Sequence, residues 1–80
     1  MSGQLEHANF TVSNPEATAA WMTKVFGWHV RWQGAAIAGG HTVHIGSDTQ
    51  YVALYKPPEG ATPGASSYDT IGGLNHIGVV

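Results

Sequence analysis

The chain has 80 residues, three Lys+Arg against five Asp+Glu, a formal net charge of −2 and no cysteine. That length allows one small domain at most, which buries only about 60% of its unfolded surface. The composition excludes a basic nucleic-acid footprint, a disulfide framework and a thiolate zinc site, and no apolar run approaches the roughly 18 residues of a membrane span. No charged segment followed by an apolar core opens the chain, so a cytoplasmic location is expected, with neither nucleic acid nor membrane as partner. Five histidines outnumber the three Lys+Arg, and this is the one compositional hint of chemistry.

In chain order, Leu5 to Val12 alternates as a half-buried strand does, with Ala8, Phe10 and Val12 opposed to His7, Asn9 and Thr11. Ser13-Asn14-Pro15-Glu16 then starts a helix. Either Asn14 caps it with Pro15 in the first helical position, or Ser13 and Glu16 form a capping box. Thr18, Trp21, Met22 and Val25 follow at helical spacing, and Gly27 is a C-terminal stop about three turns later. A second strand runs from Trp28 to Gln33, with Trp28, Val30 and Trp32 opposed to His29, Arg31 and Gln33. An irregularity there would invert the faces, so His29 and Arg31 are left on either side. Gly34 breaks the pattern, Ile37 falls in a ragged strand, and Gly39-Gly40 reads as a turn.

Thr42 to Ile45 is the third strand, Gly46 to Thr49 a turn, and Gln50 to Lys56 the fourth strand. Val52 and Leu54 oppose Tyr51, Ala53 and Tyr55 on it. Residues 1–56 therefore read as an α+β βαβββ module, a mixed sheet with one helix packed on one face. Residues 57–73 are rich in Pro and Gly and read as a linker. Ser66-Ser67 lies within it with no His or Asp arranged around it for nucleophilic catalysis.

The chain then repeats itself. Leu74-Asn75-His76-Ile77-Gly78-Val79 aligns with Leu5-Glu6-His7-Ala8-Asn9-Phe10, placing His76 on His7. Residues 74–80 thus read as the first strand of a second, incomplete module, and a partner for the first module is expected, either a second copy or a continuing chain.

If the helix covers the side of Ala8, Phe10, Val43, Ile45, Val52 and Leu54, the other face presents His7, Asn9, Thr11, Thr42, His44, Tyr51 and Tyr55, with His76 added from the repeat. A lining this polar and aromatic suits a small-molecule site, with Asn9, His44, Tyr51 and Tyr55 as candidate substrate contacts. A lone strand histidine is ordinarily a structural residue. Matched repeat positions set His7 and His76 apart as candidate metal ligands. His41 and His44 lie on opposite faces and cannot share an ion.

The Leu5-Glu6-His7 strand, the helix end Ala20-Trp21-Met22-Thr23-Lys24-Val25-Phe26-Gly27-Trp28, the strand Tyr51-Val52-Ala53-Leu54-Tyr55 and the restart Gly73-Leu74-Asn75-His76-Ile77-Gly78-Val79 together resemble the vicinal oxygen chelate superfamily. That superfamily includes glyoxalase I, fosfomycin-resistance transferases, extradiol dioxygenases and bleomycin-binding proteins. The resemblance implies two paired βαβββ modules around one cavity. It implies a divalent ion (iron, manganese, zinc or nickel alike) on the first-strand histidines, here His7 and His76, and no organic cofactor. A glutamate on the last strand of a module usually completes such a site. Here that position is Ala53. The implied function is a metal-dependent lyase, transferase or dioxygenase acting on a small oxygen-bearing substrate. The alternative is a metal-free, bleomycin-resistance-like binder. The resemblance assigns no catalytic residue.

Overall fold

A computed structural model describes residues 1–65 and 67–80; Ser66, in the expected linker, lies outside the described residues. The elements are β1 (His7–Thr11), α1 (Pro15–Phe26), β2 (His29–Ala35), a 3-10 turn (Ile37–Gly39), β3 (His41–Gly46) and β4 (Tyr51–Lys56). The expected βαβββ order holds. The sheet runs β1-β4-β3-β2, with β1 parallel to β4 and the other two pairs antiparallel.

The helix starts where the sequence says, and Asn14 is the cap. Its side-chain oxygen accepts from the Ala17 N–H at 3.1 Å, with Pro15 in the first turn, where it has no N–H to leave unsatisfied. Gly27 ends the helix at φ 71°, a left-handed conformation that glycine adopts without penalty, and its N–H closes on the Thr23 carbonyl at 3.0 Å.

The buried stripe of α1 differs from the expected one. Pro15, Ala19 and Met22 are buried and Phe26 packs beside them, whereas Trp21 and Val25 are 48% and 65% exposed. The expected stripe was right at Met22, but the buried face is centred on the Pro15–Ala19–Met22–Phe26 line, which turns Trp21 and Val25 outward. Trp21 instead turns toward Phe26, with ring centroids 5.6 Å apart, and Phe26 in turn meets Trp28 at 4.9 Å.

Met22 and Ala19 cover Val43, Ile45, Val52 and Leu54, the alternating residues of the two central strands. Tyr51, Ala53 and Tyr55 occupy the opposite parity on β4, as the alternation requires. The 3-10 turn stands where a ragged strand was expected, with Ala38 at φ 59°. Tyr55 ties that turn to the sheet, its hydroxyl donating to the Ile37 carbonyl at 2.8 Å. The Tyr55 ring lies so close over Gly40 that a side chain there would collide with it.

Residues 74–80 form no ladder with the four strands. They line two hollows, one with Phe10, Trp21 and Phe26 and another with His7, Trp28 and Tyr51.

The observed stripe predicts the cost of truncation. Leu54→Ala, at a fully buried position, is expected to lower unfolding stability by about 2–5 kcal/mol, and Val25→Ala by under about 0.5 kcal/mol. Urea unfolding of both variants checks this, and a Val25→Ala loss equal to that of Leu54→Ala would restore the originally expected helix face.

Candidate functional site

The sheet face turned away from α1 carries the candidate site, and strand pairing sets its geometry. His7 stands opposite Tyr51 across β1 and β4, and Asn9 opposite Ala53. His44 stands opposite Ala53 across β3 and β4, and Thr42 opposite Tyr55. Period-two alternation therefore gathers His7, Asn9, His44, Tyr51 and Tyr55 on one surface, as the sequence suggests.

Tyr51 is its centre. The His7 ring stacks on Tyr51 at 4.8 Å between centroids with 12° between planes, and the His44 ring at 4.7 Å and 22°. Trp32 meets His44 edge-on at 5.2 Å, and the Arg31 guanidinium carbon lies 4.5 Å from the Tyr51 ring centroid. The contacts form a continuous aromatic surface running from β1 across the sheet to β2, with one cation on it.

Arg31 and Trp32 reach this face together because of a β-bulge. The β2–β3 register shifts between Val30 and Trp32, so Val30 opposes Ile45 while Trp32 opposes His44. The regular alternation expected for Trp28, Val30 and Trp32 therefore fails at the bulge. Trp28 packs on the helix-side core and Trp32 on the other face. A bulge places two residues against one and re-aims the side chains beyond it. Gly34 supports the new arrangement, since the Trp32 indole lies over it at a distance that leaves no room for a Cβ.

His41 and His44 separate as expected. His41 points to the helix side, its Nε2 2.9 Å from Glu16 Oε1 at the start of α1. His29 sits at the rim, 3.5 Å from Asp48. Tyr55 holds its ring on the site face, but its hydroxyl is engaged by the 3-10 turn. Thr42, also on this face, is 6% exposed, and its hydroxyl has no hydrogen-bond partner among the described residues.

Burial, and then the charges of His7 and Arg31, push the His44 pKa below the ordinary histidine range. His44 is thus held as a neutral imidazole, able to donate through one ring nitrogen and accept through the other.

A family model matches residues 4–80, nearly the entire chain. The chain belongs to the Glyoxalase/Bleomycin resistance protein/Dioxygenase superfamily. No curated protein and no solved structure matches it. The superfamily fold is a repeated βαβββ unit, and residues 7–56 form one such unit.

Donor chemistry decides whether this glyoxalase-superfamily module suits a divalent ion by itself. His7 has its Nδ1 3.0 Å from Glu6 Oε1, which leaves Nε2 free to bind. His76 lines the hollow with Phe10 and Trp21, on the helix side, whereas His7 lines the other hollow. Ala53 brings no carboxylate. Among the described residues no group of three or more His, Asp or Glu is placed to hold an ion. The donors of this one module do not make a metal centre.

The depressed His44 pKa fixes the sign of a pH effect. Between the lower folded value and the ordinary unfolded value of about 6.5, the unfolded chain binds more protons, so stability falls as pH drops through that window. NMR titration of the His44 ring protons is expected to place its midpoint below the ordinary range, and Arg31→Gln to move it up. A midpoint that Arg31→Gln leaves unmoved would contradict the Arg31 contribution.

Proposed function

We propose that the aromatic face is one wall of a small-molecule cavity, closed by a second βαβββ module from a partner copy or a continuing chain. The ligand is a planar molecule carrying adjacent oxygens. The single observation that supports this most is the Trp32–His44–Tyr51–His7 contact series on the face opposite the core. The main hydrophobic cluster lies on the helix side, and these rings stand outside it.

Rings stacked on one another this closely form a continuous polarisable patch, and each further aromatic pair adds about 0.5–1.5 kcal/mol beyond area burial. Neutral His44, the Asn9 amide and the Tyr51 hydroxyl are the hydrogen-bonding groups that would orient the ligand's oxygens. Such a module binds, and it needs no ion to do so.

A second reading, a metal-dependent lyase, transferase or dioxygenase, is favoured by one specific contact. Metal-bound histidines commonly engage a carboxylate through their second ring nitrogen, and Glu6 stands in that relation to His7. In that reading the remaining ligands would come from the second module, or from His76 only if the terminal segment left the helix-side hollow it lines here. A divalent ion held there would supply Lewis acidity toward adjacent substrate oxygens.

Catechol titrated calorimetrically into the full-length protein distinguishes the two. Binding is expected to persist in EDTA and to weaken about tenfold in Tyr51→Ala, the loss of one stacked ring and its contacts. Binding that appears only with added Mn²⁺ or Zn²⁺ and vanishes in His7→Ala would replace the metal-free reading with the metal-dependent one. No binding under either condition would remove the face as a ligand wall.

A further inference from the structure

We propose that Arg31 makes this face selective for planar small molecules that carry a carboxylate, with its guanidinium as the carboxylate's hydrogen-bonding partner. The inference rests on the reading of the aromatic face as a ligand wall and names the ligand class that wall takes.

Position is the first support. Regular alternation would set Arg31 and Trp32 on opposite faces of β2; the bulge brings both to the aromatic surface. Bulges beside functional sites re-aim side chains in this way.

Orientation is the second. The guanidinium carbon is 4.5 Å from the Tyr51 centroid, a distance that secures a cation–π contact. The contact holds Arg31 over the Tyr51 ring, and a guanidinium carries five N–H donors, more than one ring contact engages. The fork of those N–H groups matches a carboxylate in bidentate fashion.

Charge is the third. Arg31 makes no ion pair among the described residues; the three ion pairs found there all belong to histidines, His7, His29 and His41. The other two cations are remote from the face. Lys24 lies in the last turn of α1, and Lys56 shares the β4 parity of Val52 and Leu54. No carboxylate side chain projects from β3 or β4 onto the aromatic surface, and Ala53 occupies its middle. Arg31 stands over Tyr51 with no ion-pair partner of its own among the described residues, the Glu6 carboxylate beside this face being engaged with His7, and so is complementary to an incoming anion. His44, held neutral beside it, does not compete for that anion as a second cation.

The test uses benzoate and benzamide, a near-isosteric pair that differs in charge, titrated into the full-length protein by calorimetry, with the indole N–H signal of Trp32 followed by NMR. Benzoate is expected to bind about tenfold or more tightly than benzamide, as a charge-assisted pair allows, and both to shift Trp32. R31Q is expected to bring benzoate affinity to within about twofold of benzamide affinity, and R31K to keep part of the preference. Arg31 is exposed, so neither variant should perturb folding, which circular dichroism confirms. Equal affinity for both probes in the wild type, or a preference that survives R31Q, overturns the role of Arg31 while the aromatic wall stands. Failure of both probes to bind or to shift Trp32 overturns the wall and the selectivity together.

Discussion

The period-two alternation of β3 and β4 is the constraint on which the rest of the molecule depends. Ile45 and Leu54 have no exposed surface, and with Val43 and Val52 they form the floor on which α1 rests. Because successive strand residues point to opposite faces, burying Val43 and Ile45 leaves His44 no choice of side. Burying Val52 and Leu54 does the same to Tyr51 and Tyr55. A register slip of one residue would send His44 into the core and Ile45 to the surface, exchanging a hydrocarbon contact for a buried imidazole. Core and site are therefore two consequences of one pairing register, and the stability of the first holds the geometry of the second.

Most of the fold was legible because its signals are local. The four strands, the helix bounds and the Gly27 stop each come from residues adjacent in sequence, and the superfamily resemblance agrees with them. Asn14 and the Ser13/Glu16 box were equally plausible caps until the backbone chose Asn14. What escaped depends on partners distant in sequence. The helix face is set by the line of residues packed over Val43 and Leu54, so Ala19 is buried while Trp21 and Val25 are left outside. The bulge in β2 is visible only against the β3 register, and with it the arrival of Trp32 on the site face. His7, His44, Asn9, Tyr51 and Tyr55 were brought to one face by parity alone. Arg31, left on either face by the sequence, needed the bulge between Val30 and Trp32 to place it.

The electrostatics of the face follow from what it lacks. Arg31 and two histidines lie within one patch, and no carboxylate projects there from the central strands. Partial burial first, and then the nearness of His7 and Arg31, disfavour a positive charge on His44, which is why its neutral form is favoured. His7 has the Glu6 carboxylate 3.0 Å from its Nδ1. Two imidazoles stacked on the same tyrosine thus stand in different surroundings. One is kept as a neutral hydrogen-bonding group; the other has one nitrogen engaged and one free.

The bulge also bears on how the module meets a partner. β1 and β2 are the two edges of the sheet, and an edge strand with regular unpaired backbone groups is open to further pairing. In β2 the register shift between Val30 and Trp32 interrupts that regularity, and the indole of Trp32 folds back over Gly34. The device that aims Arg31 therefore also spoils β2 as a pairing edge. β1 has no such interruption: its register with β4 runs unbroken from His7 to Thr11. The apolar residues of the terminal segment, Leu74, Ile77 and Val79, also gather near it, in hollows shared with Phe10 and with Leu5 and His7. The two edges are thus unequal in kind. β1, the regular edge with the terminal segment beside it, keeps the backbone geometry that strand pairing requires, and β2 does not.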